Sequence, residues 1–258
     1  MSGAAGIDVD AGTDEGLWHD WAAPLSWPRL TAAEVAPQDA VVVVLAAHPD
    51  DEVLGVGGLL ALLARCGREV RLVWATDGEA SHPGSRAPLV GRLPEVRRDE
   101  SAEAARRLGL GGAPRTHLGL PDGGLAERVE EIAGHLAPLV PEGAVLLAPW
   151  AGDGHPDHEA CGRAAGRVPS GRLLEYPVWA WHWATPEVPR IPWGLARRVD
   201  LDADARDRKS AAVAAFGSQV APIGPAPEDG PVLPEPVLAH FRRPYEVLLD
   251  RVAGEPRR

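Results

Sequence analysis

Residues 40–48 read AVVVVLAAH. A β-branched run with no polar alternation has no face to give to solvent, so it fits a strand buried on both sides of a parallel sheet. DDEVLGVGGLLALLARCG (50–67) follows, with apolar residues at helical spacing and Gly67 placed to end the helix. EVRLVWATDG (69–78) reads as a second buried strand ending in a polar turn. The alternation continues with a helix over 94–110, bracketed by Pro94 and Gly109, and a short strand and turn over 116–125. A helix over 128–140 that Pro138 ends, a strand over 144–150, and a loop running into a helix over 151–168 complete it. Strands alternating with helices through the first 170 residues imply βαβ units joined by right-handed crossovers. The expected fold class is therefore α/β: a Rossmann-like, mostly parallel sheet with helices on both faces, in a single domain.

After residue 170 the pattern is looser. Residues 172–183 and 196–201 read as strands, 202–219 as a helix, and the Pro-rich stretch 220–236 as irregular. Residues 1–38 carry Trp18, Trp21 and Trp27 between polar stretches, too aromatic for a free tail. The expected organisation is an N-terminal arm over 1–38 packing on a domain over 39–258.

Composition narrows the partners. The net charge is −11, with 37 acidic against 26 basic residues, and such a surface repels phosphate backbones. No nucleic acid is expected, while a neutral sugar or small conjugate is allowed. Cys66 and Cys161 stand far apart, with no CxxC spacing, so neither a disulfide framework nor a thiolate metal site is suggested. The first 20 residues are acidic with no apolar core, and the apolar runs are too short to span a bilayer. A cytoplasmic location without membrane attachment is the expectation; the sequence gives no oligomeric state.

Two histidine motifs stand where buried strands stop. AHPDDE (47–52) places His48, Asp50 and Asp51 on one tight turn, and HPDH (155–158) adds two imidazoles and a carboxylate within four residues. In open parallel sheets ligands bind beyond the carboxyl ends of the strands, so segments 107 residues apart can meet at one edge. Adjacent carboxylates repel unless something positive is near. A divalent cation answers that need, and a helix N-terminus adds to it. Simple helix capping by Asp50 or Asp51, or by the HPDH turn, is the alternative. His48, Asp51 and His158 make a two-histidine, one-carboxylate set that suits zinc and also holds iron(II). GVGG (55–58) lacks the order and position of a nucleotide-binding loop.

With these motifs the sequence resembles the LmbE-like (PIG-L) family of zinc-dependent N-acetylglucosaminyl deacetylases. AHPDDE with the following GVGG, and HPDH, carry the resemblance. Weaker matches are TDG (76–78), RRDESAEAARRLGL (97–110), LGLPDGGL (118–125) and KSAAVAAFGSQ (209–219), in the family's order over about 40–220. The resemblance implies His48, Asp51 and His158 as metal ligands and Asp50 as the general base that deprotonates the attacking water. It implies His155 as the group that stabilises the oxyanion and later protonates the amine, with Asp157 orienting a histidine. The implied substrate is a small N-acetylated amino sugar or sugar conjugate.

Asp153 stands two residues before His155 and is expected to steady that loop. Asp77, Arg97 and Arg98 are candidates to hold substrate hydroxyls, with a solvated charge as the alternative. Glu175, Trp179, Trp181 and His182 fall where substrate walls diverge, and the tryptophans read equally as core. Two other classes compete: another mononuclear metal hydrolase (a phosphoesterase, or an amidase on a non-sugar substrate), and a catalytically inactive binding module of the same fold.

Overall fold

The AVVVVLAAH run forms strand β1 (Val42–Ala46), and every residue of it is buried. In the computed structural model, which describes residues 12–188 and 190–251, its side chains alternate between two cores. Val42, Val44 and Ala46 face one core, and Val43, Leu45 and Ala47 face the other. A strand that must satisfy two apolar layers has no polar position, and this is the physical reason for the unbroken run.

The other strands are β2 (Val70–Trp74), β3 (Arg115–His117), β4 (Val145–Pro149), β5 (Arg172–Tyr176), β6 (Ala196–Asp200) and β7 (Tyr245–Arg251). The helices are α1 (Glu15–Asp20), α2 (Ala32–Val35), α3 (Asp51–Arg65), α4 (Leu93–Arg107), α5 (Val129–Leu136), α6 (Pro156–Ala165), α7 (Ala180–Trp183), α8 (Ala203–Val213), α9 (Gly217–Val220) and α10 (Glu235–Ala239). The sheet order is β3-β2-β1-β4-β5-β7-β6. β1 to β5 run parallel, with Val42 in register with both Val70 and Val145, while β7 is antiparallel to β5 and to β6. The chain is thus a single α/β domain. Residues of α3, α4 and α8 contribute to the core on one face, and residues of α5 and α6 to the core on the other.

The chain leaves β1 toward β2 and β3, then returns to place β4 on the opposite side of β1. Between β1 and β4 the strand order reverses, and that crevice is where an open α/β sheet offers a ligand site. Gly162 lets α6 settle against the end of β4: a Cβ there would stand 2.6 Å from the Pro149 carbonyl oxygen.

Two expectations need correction, and one strand is new. The strand expected over 172–183 stops at Tyr176, and residues 180–183 are helix α7. The reason is the carboxylate of Asp153, which accepts the N–H groups of Val178, Trp179 and Ala180 that a strand would have given to a neighbour. The helix expected over 202–219 divides into α8 and α9, with the break at residues 214–216. Strand β7, which no sequence signal had marked, inserts between β5 and β6 and makes that edge antiparallel.

Within the arm, Trp18 is buried and donates its indole N–H to the Trp181 carbonyl at 2.8 Å. Trp27 stacks on Trp193 with ring centroids 5.1 Å apart, and Trp18 meets Trp181 edge-on at 5.1 Å. Residues 1–11 of the arm and 252–258 of the domain lie outside the described residues. No helix among the described residues is long and apolar enough to cross a membrane.

Candidate active site

His48 follows β1, and the turn closes when its backbone N–H donates to Asp51 Oδ2 at 2.8 Å. That bond sets the Asp51 carboxylate between two imidazoles. Oδ2 lies 3.4 Å from His48 Nδ1 and Oδ1 lies 3.1 Å from His158 Nε2. Burial works against the Asp51 charge, but the His158 charge and the close approach of both imidazoles hold its carboxyl well below the ordinary range.

Asp50 occupies the N-cap position of α3 and makes no capping bond with its side chain. Its carboxylate turns instead to Arg97 Nη2, 2.9 Å away. The buried Arg97 guanidinium also donates to the Pro49 carbonyl and, at 3.2 Å, to that of Gly78. Among the described residues other than glycine, Asp50 alone has a positive φ, at 133°. A backbone held there costs on the order of 1–3 kcal/mol and persists only when its surroundings over-determine it. Burial pushes the Asp50 carboxyl up to about 7, against the Arg97 charge and with help from the Asp51 charge.

HPDH opens α6. His155 is its N-cap residue and accepts the Asp157 N–H at Nδ1, at 3.2 Å, so the HPDH turn does cap the helix. With Nδ1 accepting, Nε2 carries the proton of the neutral ring. Burial, with the His158 and His48 charges, lowers the His155 pKa to about 3, so the ring is neutral across the working range. His158 gives Nδ1 to Asp153 Oδ2 at 2.8 Å, and Asp153 is itself fixed by the three N–H groups leading into α7. His48 Nε2 lies 3.1 Å from Asp122 Oδ1 and 3.3 Å from Asp157 Oδ2. Asp157 is anchored by the Gly123 and Leu125 N–H groups, and Asp122 by the Ala80 N–H.

His48, Asp51 and His158 bring three ligand atoms within 4.8 Å of one another. The buried Nε2 of His158 makes no hydrogen bond and faces Asp51 Oδ1 at 3.1 Å, while its other nitrogen is held by the Asp153 carboxylate. An imidazole fixed through one nitrogen, with the other aimed bare into a carboxylate-lined space, has the arrangement of a metal ligand. The donor set and this orphaned atom both fit a divalent cation. A second grouping of His48, His155 and Asp157 is equally compact. It fits less well, because Asp157 already accepts two backbone N–H groups and His155 Nδ1 a third.

His48, Asp50, Asp51 and His155 line a cavity of ≈ 240 Å³. Arg97, Asp122, Ser81 and Gln219 make polar wall, and Leu54, Trp179, Val232 and Leu233 make apolar wall. Of the weaker candidates, Arg97 lines the cavity, whereas Asp77 and Arg98 do not. Asp77 is engaged by the Arg98 guanidinium at 2.8 and 2.5 Å and by His117 at 2.8 Å. Trp181 belongs to the aromatic core, and Glu175 accepts the Ala151 N–H at 3.1 Å and pairs with Arg251. Asp122 and Gln219 were not singled out from the sequence. The only signal for either was membership of the LPDGGL and FGSQ segments.

The family model for PIG-L, GlcNAc-PI de-N-acetylase, matches residues 43–168, a span that holds both histidine motifs. A solved structure of a conserved protein from Thermus thermophilus is 35% identical with a TM-score of 0.52, covering 69% of this chain and 79% of that one. The chain belongs to the PIG-L family.

Two curated relatives extend the PIG-L likeness. A 1D-myo-inositol 2-acetamido-2-deoxy-alpha-D-glucopyranoside deacetylase of Streptomyces griseus is 30% identical, over 68% of this chain and 61% of its own length. A probable N-acetyl-alpha-D-glucosaminyl L-malate deacetylase 2 of Bacillus subtilis is 33% identical, over 49% and 59% respectively. This PIG-L chain spans about six-tenths of the length of such relatives.

Proposed function

We propose that this chain is a metal-dependent N-deacetylase that hydrolyses the acetamide of a small amino sugar or amino-sugar conjugate. One observation carries the reading: the converged His48, Asp51 and His158, with a bare buried nitrogen on His158, stand beside an Asp50 carboxyl at the cavity wall. The two curated relatives, both named as deacetylases of N-acetylated glucosamine derivatives, support the substrate class.

Zinc held by His48, Asp51 and His158 would supply Lewis acidity toward the acyl carbonyl and make water more acidic; the same donors accept iron(II). Asp50, steadied by Arg97, takes the proton of the attacking water. The Nε2–H of neutral His155 donates to the oxygen that becomes negative as the amide carbon turns tetrahedral. The C–N bond then breaks, the nitrogen receives the proton that Asp50 took from the water, and acetate and a free amine leave. Asp122 and Asp157 keep the His48 ring in place through Nε2, and Asp153 does the same for His158 through Nδ1. Arg97 is the one arginine or lysine among the described residues lining the cavity. Its bonds to Asp50 and two carbonyls favour a neutral substrate over a phosphoester. The reading includes a cytoplasmic location, consistent with two cysteines that form no disulfide.

The test is a panel of N-acetylated amino sugars and conjugates assayed by free-amine release. Metal-stripped protein is compared with protein reloaded with zinc or iron(II). Metal-dependent amine release is expected. Silence across the panel with either ion would remove the deacetylase reading.

A further inference from the structure

Helix α3 is not one continuous helix. Val56 leaves helical geometry, with φ −138° and ψ 17°, and separates the first turn, which carries Asp51 and Leu54, from the rest. In a regular helix the Leu54 carbonyl would accept the Gly58 N–H. Here Lys209 Nζ, from α8, donates to the Leu54 carbonyl at 2.8 Å. Glu246, from β7, accepts the Gly58 and Leu59 N–H groups, each at 2.7 Å. Lys209 and Glu246 pair with each other at 2.7 Å, with their side chains 6% and 2% exposed. The ion pair is thus inserted into the hydrogen-bond ladder of α3, and side-chain insertion of this kind is a recognised cause of a kink. The close fit extends to Gly58, where a Cβ would come within 2.4 Å of Leu201.

A buried ion pair is a costly way to join two helices and a sheet, since apolar side chains of the same volume often do as well. Apolar substitutes, however, would deprive the Leu54 carbonyl and the Gly58 and Leu59 N–H groups of these partners. What lies on the near side of the kink gives the arrangement its meaning. Asp51 belongs to the ligand set, Leu54 lines the cavity, and Asp50 begins the turn in its strained conformation. We propose that Lys209 and Glu246 are positioning residues, which hold the first turn of α3 at the angle that aims Asp51 at His48 and His158. In its reference to a metal this inference rests on the function proposed above; the placement of the turn does not.

The experiment uses the full chain carrying Lys209→Met, Lys209→Arg or Glu246→Gln. Amide hydrogen exchange is followed in metal-free protein, and zinc affinity is measured by competition with a chromogenic chelator. For Lys209→Met and Glu246→Gln, exchange over residues 50–59 is expected to rise about tenfold or more, while strands β1 and β4 keep their protection. Zinc affinity is expected to fall about tenfold or more, with Lys209→Arg restoring part of it. Unchanged exchange over 50–59, or a uniform rise through all strands, would overturn the proposal and leave the pair as general scaffold. If Lys209→Met does not fold, Glu246→Gln, which keeps size and one acceptor, decides the question. A wild-type chain that binds no zinc would count against the proposed function, and the exchange pattern would still decide the positioning role.

Discussion

Asp50 and Asp51 are neighbours in sequence with opposite proposed duties, and the difference comes from what each carboxylate meets. Asp51 lies between two imidazoles and stays ionised, whereas burial lifts Asp50 to about 7, where it can accept and release a proton. Asp50→Asn keeps the Arg97 contact on one oxygen but cannot take a proton. It is expected to bind zinc as the wild type does and lose about 10²–10⁴ in kcat, read by amine release beside metal content. His155→Ala removes the proposed oxyanion donor and is expected to cost about 10²–10³ in kcat with little change in zinc affinity.

His158 makes a separate prediction. Burial works against its charge, but the nearby Asp51 carboxylate and the bond to Asp153 raise its pKa from 6.5 to about 9. The folded pKa exceeds the unfolded one, so the charged ring stabilises the metal-free protein fully below pH 6.5. That contribution is lost as pH rises through about 9. A metal ligand must be neutral, so zinc competes with this proton. Zinc affinity should therefore climb between pH 6.5 and 9 while metal-free stability falls over the same window. Calorimetry in two buffers of different ionisation heat would show the released proton; a pH-independent affinity would contradict the assignment.

At the scale of elements, the site is two strand-to-helix turns tied to loops that arrive from elsewhere. The β1–α3 turn supplies His48, Asp50 and Asp51, and the turn after β4 supplies Asp153, His155, Asp157 and His158. Asp153 couples the second turn to β5–α7 by accepting three consecutive N–H groups while holding His158. Asp153→Ala leaves those donors and one imidazole nitrogen without their acceptor. It is expected to lower zinc affinity about 10–100-fold. It should also destabilise the fold by about 3–5 kcal/mol, measured by denaturant unfolding, because a buried charge network loses its centre.

At the scale of the whole molecule, the reversal of strand order between β1 and β4 brings the two motifs together. The arm has a different part in this division of labour. Its tryptophans pack with Trp181 and Trp193 and belong to none of the ligand-bearing turns. Trp18→Ala is therefore expected to cost about 3–5 kcal/mol of stability while zinc affinity stays unchanged. Thermal unfolding and the chelator competition would read the two effects separately.

The local patterns of the chain were sufficient for the alternation of strands and helices, because burial on two faces writes itself as AVVVVLAAH and VLLAP. They were sufficient also for the motifs, because histidines and carboxylates at strand ends are chemically conspicuous. They misled at 178–183, where an apolar aromatic run looks like a strand until a distant carboxylate captures its N–H groups. They were silent on β7, on Asp122 beside His48, and on the Lys209–Glu246 pair inside α3. By itself the sequence determined where the two histidine motifs stand and which strands lie in the middle, since both depend on residue type and short-range spacing. Only the tertiary structure decided which nitrogen of His158 is held by a carboxylate and which makes no hydrogen bond, and which side chains meet the backbone groups freed at the α3 kink. Those outcomes depend on burial and on partners that lie far away in the sequence.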